Sequence, residues 1–161
     1  MRKRGIAAIA TLVVAVATPL LAVAMAKNSH TCSFDLTAAS AVVKINSGSP
    51  PASGSNTSAA TVDGKLCGRP FHGAARDLNS FPTLGRFNGQ IVNFGPLGSI
   101  KAHFEGTATA NPDHGDSLRG QGSITGGTGA YQGAAGSVSF VGSKPGNSEV
   151  TTQQITGEFH Y

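Results

Sequence analysis

Residues 120–140 read GQGSITGGTGAYQGAAGSVSF, and this stretch decides the fold. Between positions 126 and 136, five glycines surround one aromatic residue, Tyr131. Lacking a Cβ, glycine accepts positive φ and lets backbones approach closely. Glycines this dense, between segments that alternate apolar and polar, predict a tight strand-to-strand crossing on a curved sheet. Gly126, Gly127, Thr128, Gly129 and Tyr131 form that turn, and at least one of its glycines is expected at positive φ. A phosphate-binding loop is the rival reading, and it fails. The dinucleotide pattern needs glycine where Gln132 stands, and the nucleoside-triphosphate pattern needs a lysine that does not follow. No helical period follows either, so no helix dipole is available to hold an anion.

Working outward, the same alternation recurs. Residues 31–45 (TCSFDLTAASAVVKI) put Cys32, Phe34, Leu36 and Ala38 on one face and Ser33, Asp35 and Thr37 on the other. Further strands are expected at 61–67, 71–78, 86–94, 99–110, 117–125, 137–141 and 149–161, with residues 79–83 and 111–116 as turns. Residues 46–60 (NSGSPPASGSNTSAA) hold no large apolar side chain and read as a flexible loop. Eight short strands without a sustained helical period predict an all-β fold, an eight-stranded antiparallel barrel whose closure removes exposed edges.

The first 26 residues read as a secretory signal peptide. Arg2, Lys3 and Arg4 precede an uncharged apolar run from 6 to 23, and two small-residue cleavage sites follow, ending at Ala24 and Ala26. The run is nearly long enough to span a bilayer, so an uncleaved anchor is the alternative. Pro19 and the small residues favour cleavage, which leaves no membrane anchor. Residues 27–161 then form a single domain, expected to be secreted. The 12 Lys and Arg fall to 9 once the leader's three depart, against 8 Asp and Glu. Without a basic cluster the chain lacks the footprint of a nucleic-acid binder.

Cys32 and Cys67 both lie in the exported part, where two thiols most simply form one disulfide. Five histidines, at 30, 72, 103, 114 and 160, show no metal-ligand spacing. No metal site is therefore expected. Charged residues fall on the face away from apolar ones, which predicts an apolar interior with at most one or two polar side chains. Phe34, Leu36, Ile91, Ile100, Phe104, Leu118, Ile124, Phe140 and Phe159 are the expected ligand-lining residues. His103 and Glu105, two apart on one strand face, are the one pair with acid–base potential, and the alternation puts both outside.

The run from 120 to 136 resembles the G-x-G-x-x-T-G-G-T-G-x-[YF]-x-G-A-x-G signature of secreted bacterial proteins related to the allene oxide cyclase and dirigent β-barrels. The resemblance implies an eight-stranded barrel, often trimeric, that works without metal or organic cofactor. Plant members guide cyclisation or coupling of reactive apolar intermediates. Their acidic and polar site residues have no aligned counterpart in this chain, so no catalytic residue is carried over.

Two functional readings follow. One is a non-catalytic secreted barrel, structural or binding a small apolar molecule. The other is a cofactor-independent isomerase or cyclase. A dry or filled interior favours the first, and a polar cluster inside the barrel favours the second.

Overall fold

The computed structural model describes residues 30–49, 53–110, 115–146 and 148–161. The leader, the centre of the 111–116 turn with His114, and Asn147 lie outside the described residues. Eight antiparallel strands form a closed barrel in sequence order: β1 (Thr31–Ser49), β2 (Ser53–Leu66), β3 (Arg69–Thr83), β4 (Arg86–Gly95), β5 (Gly98–Thr109), β6 (Asp116–Gly127), β7 (Ala135–Lys144) and β8 (Val150–His160). The last strand pairs with the first, from Thr31 opposite His160 to Ala41 opposite Val150. Every strand thus has two neighbours, and no edge is left to template association.

Three expectations are corrected. Residues 46–49 and 53–60 are strand, not flexible loop. β1 continues to Ser49 and β2 begins at Ser53, with Ile45 opposite Asn56 and Gly48 opposite Gly54. Small polar residues build this extension through backbone pairing, with Asn56, Thr57 and Ser58 buried without a large apolar side chain among them. Asn46 Nδ2 donates to Thr57 Oγ1 at 3.0 Å across the pair. Residues 79–83 are likewise strand: β3 runs through Pro82, where its pairing with β4 is irregular, and the turn falls at Leu84 and Gly85. A proline at an irregularity leaves no ladder bond unmade.

The third correction concerns the glycine run. Gly126 and Gly127 end β6, paired with Lys101 and Ile100, and the chain turns only after them. A short 3₁₀ turn (Gly129–Tyr131) follows, with Gly129 at φ 61° and Gly133 at φ 82°. The segment connects neighbouring strands and folds under the barrel instead of crossing a sheet. Thr128 Oγ1 accepts from Ser99 N at 3.0 Å, and Ala130 N donates to Leu97 O at 2.9 Å. These bonds seat Tyr131, which is buried, against Phe159 and Tyr161 at ring-centroid distances of 5.9 and 5.7 Å.

That aromatic group closes one end of the barrel. Beside it, Cys32 and Cys67 form a disulfide with Cα atoms 4.6 Å apart. Cys67 and Gly68, both at positive φ, make the two-residue turn between β2 and β3. Such primed turns match the twist of the strands they join, at a cost for a residue other than glycine. Cross-linking to Cys32, together with the 2.9 Å bond from Cys67 N to Ser33 O, holds Cys67 in place.

Candidate functional site: the barrel cavity

Above the closed end the barrel holds a cavity of about 520 Å³. Its existence traces to glycine. Eight-stranded barrels are narrow enough for their own side chains to fill. Here several rings lie back against the wall at inward positions that lack a Cβ. A Cβ on Gly106 would stand 2.6 Å from Phe87 Cζ, one on Gly89 2.8 Å from Phe104 Cζ, and one on Gly157 2.6 Å from Phe34 Cζ. Flattened onto those glycines, the phenylalanines leave the axis open.

The aromatic side of the cavity comes mainly from β4, β5 and β7. Phe87, Phe104 and Phe140 form a mutual cluster with centroids 5.9 to 6.2 Å apart, and Phe81 joins it at 6.4 Å from Phe87. Ile91, Ile100, Leu118 and Ile124 continue this surface, while Phe34 and Leu36 extend it on β1. Eight of the nine expected lining residues therefore meet in the cavity. Phe159 does not. It is fully buried in the aromatic group beneath, 6.1 Å from Phe34 and 5.9 Å from Tyr131. Burial, with Tyr161 alongside, pushes the Tyr131 phenol above its ordinary range.

The other side of the cavity overturns the expectation of an almost wholly apolar interior. Ser40 on β1, Asn56 and Ser58 on β2, Asp77 and Asn79 on β3, and Asn93 on β4 all line it. Register brings them together. Asp77 stands opposite Ser58 on one side and Ile91 on the other, and Asn79 stands opposite Asn56. Asn79 Nδ2 donates to Asn56 Oδ1 at 3.0 Å and to Ser58 Oγ at 3.2 Å.

Asp77 sits at the centre of this wall, 8% exposed. Neither β2 nor β4 turns a cation toward it, since their inward residues there are Ser58, Asn56, Ile91 and Asn93. Desolvation therefore acts uncompensated and raises its pKa from 3.8 to about 6. Two buried oxygens have no hydrogen-bond partner among the described residues, Asp77 Oδ1 and Asn93 Oδ1. The two residues are diagonal neighbours, because Ala75 pairs with Asn93 and Asp77 with Ile91. In a folded chain such buried orphans call for an explanation.

Sequence reasoning missed this wall for two reasons. The segment holding Asn56 and Ser58 was read as a loop, which removed its faces from consideration. On β3 the expectation that charges face outward hid Asp77, which is buried while its neighbour Leu78 is 52% exposed. The signal was present: Phe71, Ala75, Asp77, Asn79 and Phe81 share one parity, and that parity faces in. Asp116 and Lys144 also break the expected pattern, lining the cavity near its open end with Glu149, Val42 and Ile45.

His103 and Glu105 lie exposed on the outer face of β5, beside a shallow groove with Gln121 and Ser123, and away from the cavity. His72 is also outside, 2.6 Å from Asp63 in an exposed pair, and His160 bonds Thr31 Oγ1 at 2.9 Å. Among the described residues, no three His, Cys, Asp or Glu side chains converge on a point that could hold a metal ion.

Fold and site together define a closed eight-stranded antiparallel barrel with an amphipathic internal cavity. Compared with known proteins, the chain matches no family model and no curated protein.

Proposed function

We propose that this chain is a secreted barrel that binds a small, mainly apolar molecule inside its cavity, with a polar end of the ligand against the β2–β3 wall. The observation that carries this reading is the cavity itself. At about 520 Å³ it lies within the range of small-molecule pockets, and its lining is largely apolar with a few converging polar groups. The disulfide of a small barrel is consistent with an oxidising, extracellular location. Calorimetric titration with butylbenzene tests the reading. Binding should carry a negative heat-capacity change. It should disappear when Ala108→Trp fills the cavity near its mouth. Equal affinity in that variant would refute internal binding.

The polar wall favours a second reading, the cofactor-independent isomerase or cyclase suggested by the resemblance to the allene oxide cyclase and dirigent barrels. A carboxyl group with a pKa near 6 can both give and take a proton near neutral pH, which suits general acid–base chemistry. Under this reading Asp77, and not His103 or Glu105, handles the proton, while the aromatic wall confines the intermediate. Turnover of an apolar epoxide or similar reactive substrate, lost in Asp77→Asn with binding retained, would distinguish it from simple carriage.

A further inference from the structure

Resting on the reading of the cavity as a small-molecule site, we propose that its ligand class is an apolar amine, bound as the ammonium ion with its N–H groups on Asp77 Oδ1 and Asn93 Oδ1. Both orphaned atoms are acceptors. A ligand that satisfies them must supply donors, and a carboxylate or ether end supplies none. One of the two belongs to a carboxyl group that is more than nine-tenths buried and has no cation beside it among the described residues. An ammonium ion supplies both the missing donors and the missing counter-charge, and hydrogen bonds to ionised groups are the strong ones.

The rest of the cavity suits the same ligand. Phe81, Phe87, Phe104 and Phe140 line the facing side of the space and offer an apolar surface to the body of the ligand. The rim adds Asp116 and Glu149 against a single Lys144. With Asp77, the charged groups lining the cavity among the described residues are three acids and one base, a balance that favours entry of a cation.

The pH dependence follows from the groups that face Asp77. Ser58 and Asn56 on β2, Ile91 and Asn93 on β4 and Ser40 on β1 do not titrate near neutrality. Among the described residues, the titratable groups in the cavity are therefore Asp77 and the rim's Asp116, Lys144 and Glu149. A pKa of about 6 leaves Asp77 ionised at pH 7.5, and a bound cation would lower it further.

The test uses four probes with one body: butylbenzene, 4-phenylbutanol, 4-phenylbutyrate and 4-phenylbutylamine, titrated calorimetrically into the mature protein. At pH 7.5 the amine should bind about tenfold or more tighter than the alcohol, with the carboxylate weakest. That preference should fade as pH falls from 7 to 4. Asp77→Asn should bring amine affinity down to that of the alcohol. An amine no tighter than the alcohol at pH 7.5, while butylbenzene binds, overturns the amine proposal and leaves the pocket reading standing. A preference that survives Asp77→Asn but is lost in Asp116→Asn/Glu149→Gln puts the cation at the rim and also overturns it. If butylbenzene, alcohol and amine all fail to bind, the pocket reading falls and takes this inference with it.

Discussion

Replacing Asp77 by asparagine should shift the balance between variant and wild type toward the variant as pH rises from acid to neutral. Burial raises the carboxyl from 3.8 to about 6, so the folded state prefers the protonated form. The stability associated with Asp77 is fully present below pH 3.8 and is lost as pH rises through 6. Above that the folded protein carries a desolvated charge. The shift of about two units corresponds to roughly 3 kcal/mol, most of it developing between pH 4 and 6. Asparagine keeps the size and removes the charge. It adds an amide whose N–H groups must find partners, and one left unpaired costs about 1–3 kcal/mol. That cost does not depend on pH. The diagnostic quantity is therefore how the difference between variant and wild type changes with pH, not its absolute value. Urea unfolding of both proteins at pH 4, 5, 6, 7 and 8 should show the variant gaining by roughly 2–3 kcal/mol relative to wild type from the acid end to the neutral end. A difference that stays flat across this range would refute the buried, unpaired carboxylate. One that grows toward acid would reverse its sign.

Three further outcomes are expected. Reducing the Cys32–Cys67 disulfide, or replacing both residues by serine, removes a link across 35 positions and should cost about 4 kcal/mol on the chain-entropy model, read from denaturant midpoints. An unchanged midpoint would mean that the linkage does not constrain the unfolded chain. Gly106→Ala should destabilise by about 1–3 kcal/mol, because the new methyl meets Phe87 Cζ at 2.6 Å and Arg119 O at 2.7 Å. A neutral melting temperature would contradict the packing of rings onto glycine. Gly129→Ala should also lower the melting temperature, since φ is 61° there, whereas Gly126→Ala meets no atom within 4 Å and should be close to neutral. Equal effects at the two positions would argue against the turn as described.

Much of the barrel was legible in the sequence because period-two alternation is a direct imprint of inside and outside. The strand number and the inward face of eight of the nine expected lining residues follow from it, while the Cys32–Cys67 pairing followed from there being two cysteines alone. The extension of β1 and β2 was not legible. Residues 46–49 and 53–60 pair through backbone bonds that any sequence can make, and their side chains carry no hydrophobic signal. The direction of the glycine run was misjudged for a related reason. Dense glycine marks where backbones come close, but not whether the chain crosses a sheet or tucks under it. Phe159 was assigned to the right face but the wrong level, because alternation fixes which side a residue faces and says nothing of height along the axis. The polar wall was lost to an assumption that interior means apolar. β3 keeps perfect parity and simply places an acid on the inward side of it.

That placement bears on what the barrel is for. A chain selected only to fold would have every reason to fill this space. Larger side chains at inward positions such as Ala102 and Ala108 would add contacts and move the barrel toward a solid core. An apolar residue at 77 would remove the desolvation cost altogether. Instead the glycines keep the axis clear, and the acid lies where no cation of the protein reaches it. Both features work against stability, and both act on one cavity from opposite walls. Their costs are relieved together by a single event, the arrival of a molecule with an apolar body and a donor-bearing head. The body restores the contacts forgone by the flattened rings. The head pairs with the two orphaned oxygens. On this argument ligand binding and thermal stability are coupled through Asp77, so an amine that raises the melting temperature of the wild type should raise that of Asp77→Asn by much less.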